Sequence, residues 1–171
     1  MKNKRNEDLN NLTKESISLA YYKLLLQKED ISIKKICEKA GVSRNAYYRN
    51  FESVDEIIIY YLILKWANYC ENAGTETEIS NDVGSHLIKY FYSEREFVRA
   101  IKQQGQIYLV EELFRKVLIP KDVSGAEKYF SYVVAYSIYS FIRAMIDNDF
   151  TETPDELNAM FKAYEKLKSK N

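Results

Sequence analysis

The sequence predicts an all-α protein, and three observations carry that prediction. Only five Gly and two Pro occur in 171 residues, so the chain lacks the turn signals that many short strands require. Apolar residues recur at three- and four-residue spacing along most of the chain, which is the period of an amphipathic helix. With 46% hydrophobic and 29% charged residues, the composition is typical of a globular protein. From the periodicity we expect about nine helices.

The first predicted helix covers roughly residues 9–28, where one face carries an apolar stripe at helical spacing. The stripe consists of Leu12, Ile17, Ala20, Leu24 and Leu25. A short second helix is predicted over residues 33–40. Ser32 suits its N-cap, and Gly41 suits the left-handed residue that ends a helix.

A third short helix is predicted over residues 44–50, with Ser43 as its N-cap and Phe51 closing the apolar cluster. Two short helices joined by a Gly-containing turn form a helix-turn-helix, whose second helix enters the major groove of DNA. An ordinary helical hairpin has the same spacing. The spacing alone therefore leaves both interpretations open.

The charge of the chain is unevenly distributed although its net value is zero. Residues 1–50 contain eleven Lys or Arg against six Asp or Glu, a net charge of +5, and residues 51–171 carry −5. A basic N-terminal part on an acidic body is typical of a protein that binds a polyanion through one end. A solvated helix surface with a chance excess of lysine would look the same.

The side chains of the third helix suit the recognition of double-stranded DNA. Arg44 can donate two hydrogen bonds to guanine, and Asn45 can bond to adenine in the same way. Ala46 is small enough to permit close approach or to touch a thymine methyl group. Phosphate contacts that position the helix would come from Ser43, Tyr48 and Arg49.

Residues 33–51 resemble the DNA-binding signature of TetR-family transcriptional regulators, whose usual pattern is T-V-x-x-I-A-x-x-A-G-V-S-R-x-T-x-Y-x-H-F. The positions that carry the resemblance are Ile36, Ala40, Gly41, Val42, Ser43, Arg44, Tyr48 and Phe51. The first helix is similar to the opening of the family as well. The resemblance covers about residues 13–64, and it implies DNA contacts at Ser32, Lys34, Tyr47 and Arg49.

Three positions depart from the family pattern. Asn50, a further candidate DNA contact, stands where His is usual, and Val54 stands where a phosphate-gripping Lys is common. The connection over residues 27–32 is short and lacks the common Gly. We expect the loss of one phosphate contact to weaken DNA binding and to reduce its salt slope by about one unit.

The resemblance further implies a helix-turn-helix domain over residues 1–53 and a helical regulatory and dimerisation domain over residues 54–171. The helices expected in the second domain cover residues 54–73, 79–93, 96–104, 107–119, 126–147 and 154–168. Residues 141–157 are similar to the end of a short subgroup of regulators that resemble the activator of a dihydroxyacetone kinase operon. Such regulators dimerise through their last two long helices. The candidate interface residues are Phe130, Val134, Ser137, Phe141, Met145, Met160, Phe161 and Tyr164.

Aromatic residues are abundant, with 15 Tyr, 8 Phe and one Trp. Many fall in the second domain, where they could line an apolar pocket for a small apolar or aromatic effector. The candidate pocket residues are Trp66, Tyr90, Phe97, Tyr108, Tyr132 and Tyr136. Ordinary core packing is the alternative interpretation for each of them.

Nothing in the sequence calls for an enzyme, a metal site or a cofactor. Cys37 and Cys70 are 33 residues apart, and His86 is the single histidine, so no metal-ligand spacing or catalytic cluster is present. The chain contains no phosphate-binding glycine motif and no nucleophile motif. We also expect no membrane span, since the longest apolar run covers only residues 57–64, and we expect a cytoplasmic location.

The sequence therefore predicts a homodimeric transcriptional regulator, most simply a ligand-responsive repressor on a palindromic operator. The alternative is a protein-binding co-activator or sensor with weak or lost DNA binding, for which Val54 is the motivating residue. The effector, the operator, the target genes and the choice between repression and activation are not encoded in any motif of the chain.

Overall fold

The computed structural model describes residues 2–168, and within that range the chain is all-α, with ten helices and no strand. The prediction of fold class is confirmed. The helices are α1 (Lys2–Leu26), α2 (Ile33–Ala40), α3 (Arg44–Asn50), α4 (Val54–Ala73), α5 (Glu76–Asn81), α6 (Val83–Ser93), α7 (Arg95–Gln103), α8 (Tyr108–Leu118), α9 (Gly125–Asp147) and α10 (Pro154–Lys168).

Two elements differ from the sequence-based expectation. Helix α1 begins at Lys2 rather than near residue 9, and its residues 6–12 are all exposed. Leu12 of the predicted stripe is 60% exposed, so the buried part of the stripe begins at Ile17. The expected helix over residues 79–93 is divided into α5 and α6. Thr75 and Glu78 form a capping box that starts α5 earlier, and the non-helical backbone of Asp82 (φ −139°, ψ 44°) interrupts the helix.

The chain folds into two compact units, the first ending at Lys65 and the second beginning at Trp66. In the first unit, apolar side chains from four helices meet in one core. The fully buried members of this core are Ile17, Tyr21, Leu24, Ile36, Tyr47, Ile57, Ile58, Tyr61 and Leu62. The ring of Tyr22 stacks on that of Tyr61 with 4.9 Å between centroids. This core sets the positions of α2 and α3.

The division into units falls within α4, whereas the sequence-based boundary lies between residues 53 and 54. The first part of α4 carries five residues whose side chains are buried in the first unit. They are Ile57, Ile58, Ile59, Tyr61 and Leu62. Because these side chains complete the core around α1–α3, the compact unit extends beyond the predicted boundary.

The second unit is built around aromatic side chains. Phe91 of α6 stacks on Phe114 of α8 at 5.7 Å, and Phe114 in turn contacts Tyr139 of α9 at 5.5 Å. Tyr90, Phe97 and Val98 are also fully buried. Aromatic pairs at these separations add stability beyond the area that they bury.

Helix α10 packs on α6 through a glycine. A Cβ atom at Gly84 would lie 2.3 Å from Cε1 of Phe161, so the phenyl ring can approach α6 only because Gly84 has no side chain. Phe161 is 5% exposed and contacts Phe141 edge-on at 5.3 Å. Lys162 Nζ lies 3.1 Å from Asp82 Oδ2, which ties α10 to the start of α6 a second time.

The turn between α9 and α10 contains two consecutive left-handed residues, Asp149 (φ 55°) and Phe150 (φ 56°). Non-glycine residues adopt this conformation at a cost that surrounding contacts must offset. Arg99 of α7 donates to Asp149 Oδ1 at 2.8 Å and to the Asp149 carbonyl at 2.9 Å, and its guanidinium lies over the buried Phe150 ring. These contacts hold the turn.

None of the helices in the described range is long and apolar enough to cross a membrane. Among residues 2–168 there is also no cluster of three or more His, Cys, Asp or Glu that could hold a metal ion. Cys37 is a buried free thiol and Cys70 is a half-buried one. His86 lies on α6 with its Nδ1 atom 2.9 Å from the hydroxyl of Tyr69.

Candidate nucleic-acid interface

Helices α2 and α3 are joined by a turn whose geometry follows from its residues. The Ser32 hydroxyl accepts a hydrogen bond from the Lys35 amide at 3.3 Å and caps α2. Gly41 takes the left-handed conformation (φ 68°) that ends α2, and the Val42 amide donates back to the Cys37 carbonyl at 3.0 Å. The Ser43 hydroxyl then caps α3 by accepting from the Ala46 amide at 3.1 Å.

The buried side of α3 anchors it to the first unit. Tyr47 is 1% exposed, and its ring contacts those of Tyr48 and Phe51. Burial raises the pKa of the Tyr47 hydroxyl. The prediction that Tyr47 contacts DNA is therefore corrected: its side chain is part of the core, because it lies on the face of α3 that packs against the rest of the unit.

The opposite side of α3 is open to solvent. Ser43, Arg44, Asn45, Tyr48 and Arg49 are all exposed, and Tyr48 keeps 59% of its surface accessible. A shallow concave surface is lined by four of them, Ser43, Asn45, Tyr48 and Arg49. The structure thus brings five of the predicted contact residues onto one exposed face of a short helix, as major-groove recognition requires.

The remaining predicted contact residues lie around this face. Ala46 is half-buried, and Asn50 is half-buried with its Nδ2 atom donating to the Ala46 carbonyl at 2.8 Å. Ser32 and Lys34 lie at the start of α2. Of these four residues, Lys34 alone is exposed, and the other three are half-buried.

The cations of α2 and α3 differ in their partners. On α2, Lys39 Nζ lies 3.2 Å from Glu29 and 2.6 Å from Gln27 Oε1, while Lys34 and Lys35 lie near Glu38 and Asp30 at 3.9 and 4.0 Å. On α3, Arg44 and Arg49 form no ion pair with any residue that the structure describes. Two guanidinium groups are therefore available to guanine or phosphate without first losing an acidic partner.

The six predicted pocket residues belong to the second unit, and several of them are in ring contact. Trp66 contacts Tyr90 at 5.3 Å, and Tyr132 stacks on Tyr136 at 6.1 Å. A chain of ring contacts links the first pair to the second, and it runs from Tyr90 to Tyr136 through Phe91, Phe114 and Tyr139. Tyr90 and Phe97 are each 1% exposed, whereas Tyr108 is 49% exposed. Tyr90 and Phe97 are therefore buried in the second unit, and their role in a pocket stays a prediction.

The predicted dimer residues fall into two groups. Phe130, Val134, Met160 and Tyr164 are 69%, 58%, 53% and 45% exposed, and Ser137 and Phe141 are half-buried. Met145 and Phe161 are buried within the unit, at 1% and 5% exposure. These last two are corrected from interface to core, since Phe161 fills the space above Gly84.

The structure also contains a hollow that the sequence did not indicate. It lies where the start of α6 meets α9 and α10, and its volume is about 260 Å³. None of the six predicted pocket residues lines it. The close approach of Gly84 and Phe161 that shapes it joins residues 77 positions apart, so no local sequence pattern could have located it.

One family model matches the chain. Residues 2–80 match the family described as the Mga helix-turn-helix domain. No curated protein and no solved structure matches the chain. The match covers α1–α4 and all but the last residue of α5, and so contains the capped turn and the exposed face of α3. It agrees with the helix-turn-helix prediction but names a different family from the resemblance to TetR regulators. Residues 2–80 thus contain a helix-turn-helix domain of the DNA-binding regulator class.

Proposed function

We propose that the protein is a homodimeric, ligand-responsive transcriptional regulator, and most simply a repressor that binds a palindromic operator. The observation that carries the proposal is the exposed face of α3, on which Arg44 and Arg49 have no acidic partner among the described residues. A TetR-like organisation is the finer form of the proposal. It is supported by the A-G-V-S-R motif at residues 40–44 and by the long helices at the end of the second unit.

Homodimerisation is supported by the apolar face of α9 and α10, defined by Phe130, Val133, Val134, Met160 and Tyr164. Each of these side chains is at least 45% exposed. Contiguous apolar surface of this kind marks an interaction site in soluble proteins. A single helix-turn-helix reads one half-site, so two copies are needed to read a palindrome with half-sites about 34–36 Å apart. Dimerisation would thereby provide specificity.

A ligand bound to the second unit would regulate the protein by favouring one arrangement of the two heads. Allosteric couplings of this kind amount to about 1–3 kcal/mol, which changes operator affinity by about 5- to 150-fold. We further propose that the chain has no catalytic activity. The turnover of a bound compound by the purified protein would contradict this.

The test is a titration of the protein with its own upstream DNA at two salt concentrations. We expect saturable binding that weakens with salt. Arg44→Ala should reduce operator affinity by about 5- to 150-fold if Arg44 contacts guanine. Lys89→Ala, which removes an exposed cation from α6, is the matched control and should leave the affinity unchanged. Equal affinities for wild type, Arg44→Ala and Tyr48→Ala would reject α3 as the recognition helix.

The second candidate function is that of a protein-binding co-activator or sensor. It is favoured by Val54 at the usual lysine position and by the acidic partners of the α2 lysines, both of which lower the attraction for phosphate. Capture of one defined protein together with DNA binding that is weak and independent of sequence would support this candidate over the regulator.

A further inference from the structure

The hollow between α6, α9 and α10 has walls that are held in place. Phe161 is packed against Gly84 on one side and against Phe141 on the other. The ion pair between Lys162 and Asp82 joins α10 to the break between α5 and α6. Because the Phe161 ring is held by buried packing, the hollow is a preformed feature of the second unit. The ion pair is largely exposed and contributes little to the walls.

The lining combines an apolar body with one carboxylate. Val134 and Ile138 of α9 and Phe161 of α10 supply apolar walls, and Asp82 supplies the charge. Ser80, Asn81 and Ser137 add uncharged polar groups to the lining. Partial burial by itself would raise the pKa of Asp82, but hydrogen bonding and the charge of Lys162 outweigh it and hold the pKa below its ordinary value. Asp82 is therefore ionised at neutral pH.

The volume and the charge together limit what the hollow can hold. About 260 Å³ lies just below the usual range of ligand pockets, which excludes a peptide helix and fits a molecule smaller than a typical drug. A carboxylate at the edge of an apolar space pairs best with a positively charged hydrogen-bond donor. A compact apolar body with one ammonium group meets both requirements.

We propose that this hollow binds a small apolar amine, with the ammonium group on the carboxylate of Asp82 and the apolar body against Phe161, Val134 and Ile138. As the effector site, it rests on the proposed ligand response, but binding itself requires neither DNA nor a second copy. Val134 and Tyr164 also belong to the apolar face of α9 and α10, so a ligand here contacts the surface proposed for dimerisation.

The probes are 2-phenylethylamine, its neutral isostere 2-phenylethanol, and 3-phenylpropionate. Each is titrated to about 10 mM into the full-length ¹⁵N-labelled protein, and amide shifts are followed by NMR. We expect the amine to shift the amides of Gly84, Ser137 and Phe161, the alcohol to bind more weakly, and the acid not to bind. The absence of amine-induced shifts at these residues, or equal binding of all three probes, overturns the proposal.

Two variants separate a direct contact from a structural effect. Asp82→Asn should weaken amine binding about tenfold and leave alcohol binding unchanged, because it removes the charge but keeps the shape. Lys162→Met should strengthen amine binding about threefold, because the carboxylate loses its competing cation. A merely structural role of the ion pair would weaken binding in both variants, and that result overturns the proposal. Asp122→Asn, an exposed acid of the same unit, is the control.

Separate readouts distinguish this inference from the proposed function. Amine binding without operator binding leaves the site established and rejects the regulator. Operator binding without amine binding supports the regulator and rejects the amine site. If the same amides shift with protein concentration while the amine has no effect, a second copy covers the hollow and the ligand site is rejected.

Discussion

At the scale of the residue, we expect DNA binding to depend more on whether a basic side chain has an acidic partner than on the number of basic side chains. Lys39 and Arg49 are both basic residues of the helix-turn-helix, but Lys39 lies 3.2 Å from Glu29 whereas Arg49 has no acidic partner in the described part of the chain. An ion pair with an internal acid reduces the field that a phosphate experiences. The two residues should therefore contribute differently to DNA binding.

We predict that Arg49→Ala reduces the salt slope of operator binding by about one unit per head, since one phosphate contact is lost. Lys39→Ala removes the same charge from the same unit and should leave the slope nearly unchanged. Equilibrium titrations at several salt concentrations measure both slopes. Equal changes in the two variants would mean that net charge, and not the position of the cation, governs binding.

At the scale of the element, α10 depends on one close packing contact with α6 and on a capped N-terminus. Phe161 packs on the backbone of α6 at Gly84. At the other end, the Thr153 amide donates to Glu156 Oε2 at 2.9 Å, and the Glu156 amide donates to Thr153 Oγ1 at 3.3 Å. This capping box starts the helix directly after the strained turn at Asp149 and Phe150.

We predict that Gly84→Ala lowers the free energy of unfolding by about 1–3 kcal/mol, because the new methyl group overlaps the buried Phe161 ring. Phe161→Leu leaves more room, so the double variant should lose less stability than the two single variants together. Denaturant unfolding of the four proteins measures this coupling. Additive losses would mean that Gly84 and Phe161 act independently.

The second element-scale prediction concerns acid stability. Hydrogen bonds from the Thr153 backbone and side chain lower the pKa of Glu156. The charged form therefore stabilises the folded state above the unfolded-state pKa of about 4.3, and this contribution is lost as the pH falls through the lower folded-state pKa.

Glu156→Gln keeps an acceptor for the cap but does not titrate. Wild type should be the more stable protein at pH 7, and its advantage should disappear between about pH 5 and pH 3. Urea unfolding across this range measures the difference. A difference that stays constant with pH would mean that the charge of Glu156 does not contribute to the cap.

At the scale of the whole molecule, the apolar face of α9 and α10 decides whether two heads act together. Its members are exposed although they are valine, methionine and aromatic residues. In a monomer such a face stays in contact with water at a cost that association removes. The proposed regulator depends on that association.

We predict that wild type is a dimer and that Val134→Glu is a folded monomer with at least about tenfold lower operator affinity, since each head then binds its half-site alone. Val134 is 58% exposed, so the charge should not disturb the core. Val117→Glu on α8, at a 49% exposed position, is the matched control. Sedimentation velocity measures the oligomeric state, and a wild-type monomer at about 100 μM would contradict dimerisation.

The sequence by itself determined the features that depend on neighbours along the chain. Helical periodicity identified the fold class, and Ser32, Gly41 and Ser43 defined the turn between α2 and α3, because caps and left-handed residues act within a few positions. The exposed residues of α3 followed from the same local pattern. The separate, earlier start of α5 was missed because it depends on a capping box and not on an apolar stripe.

The tertiary structure alone decided which faces are covered. Met145 and Phe161 were predicted together with Val134 as interface residues, yet the first two are buried and the third is exposed. Tyr47 and Tyr48 are adjacent in sequence, but one lies in the core and the other faces solvent. The hollow beside Gly84 depends on a glycine and a phenylalanine far apart in the chain. Burial is set by contacts between distant segments, and a local pattern cannot specify which segments meet.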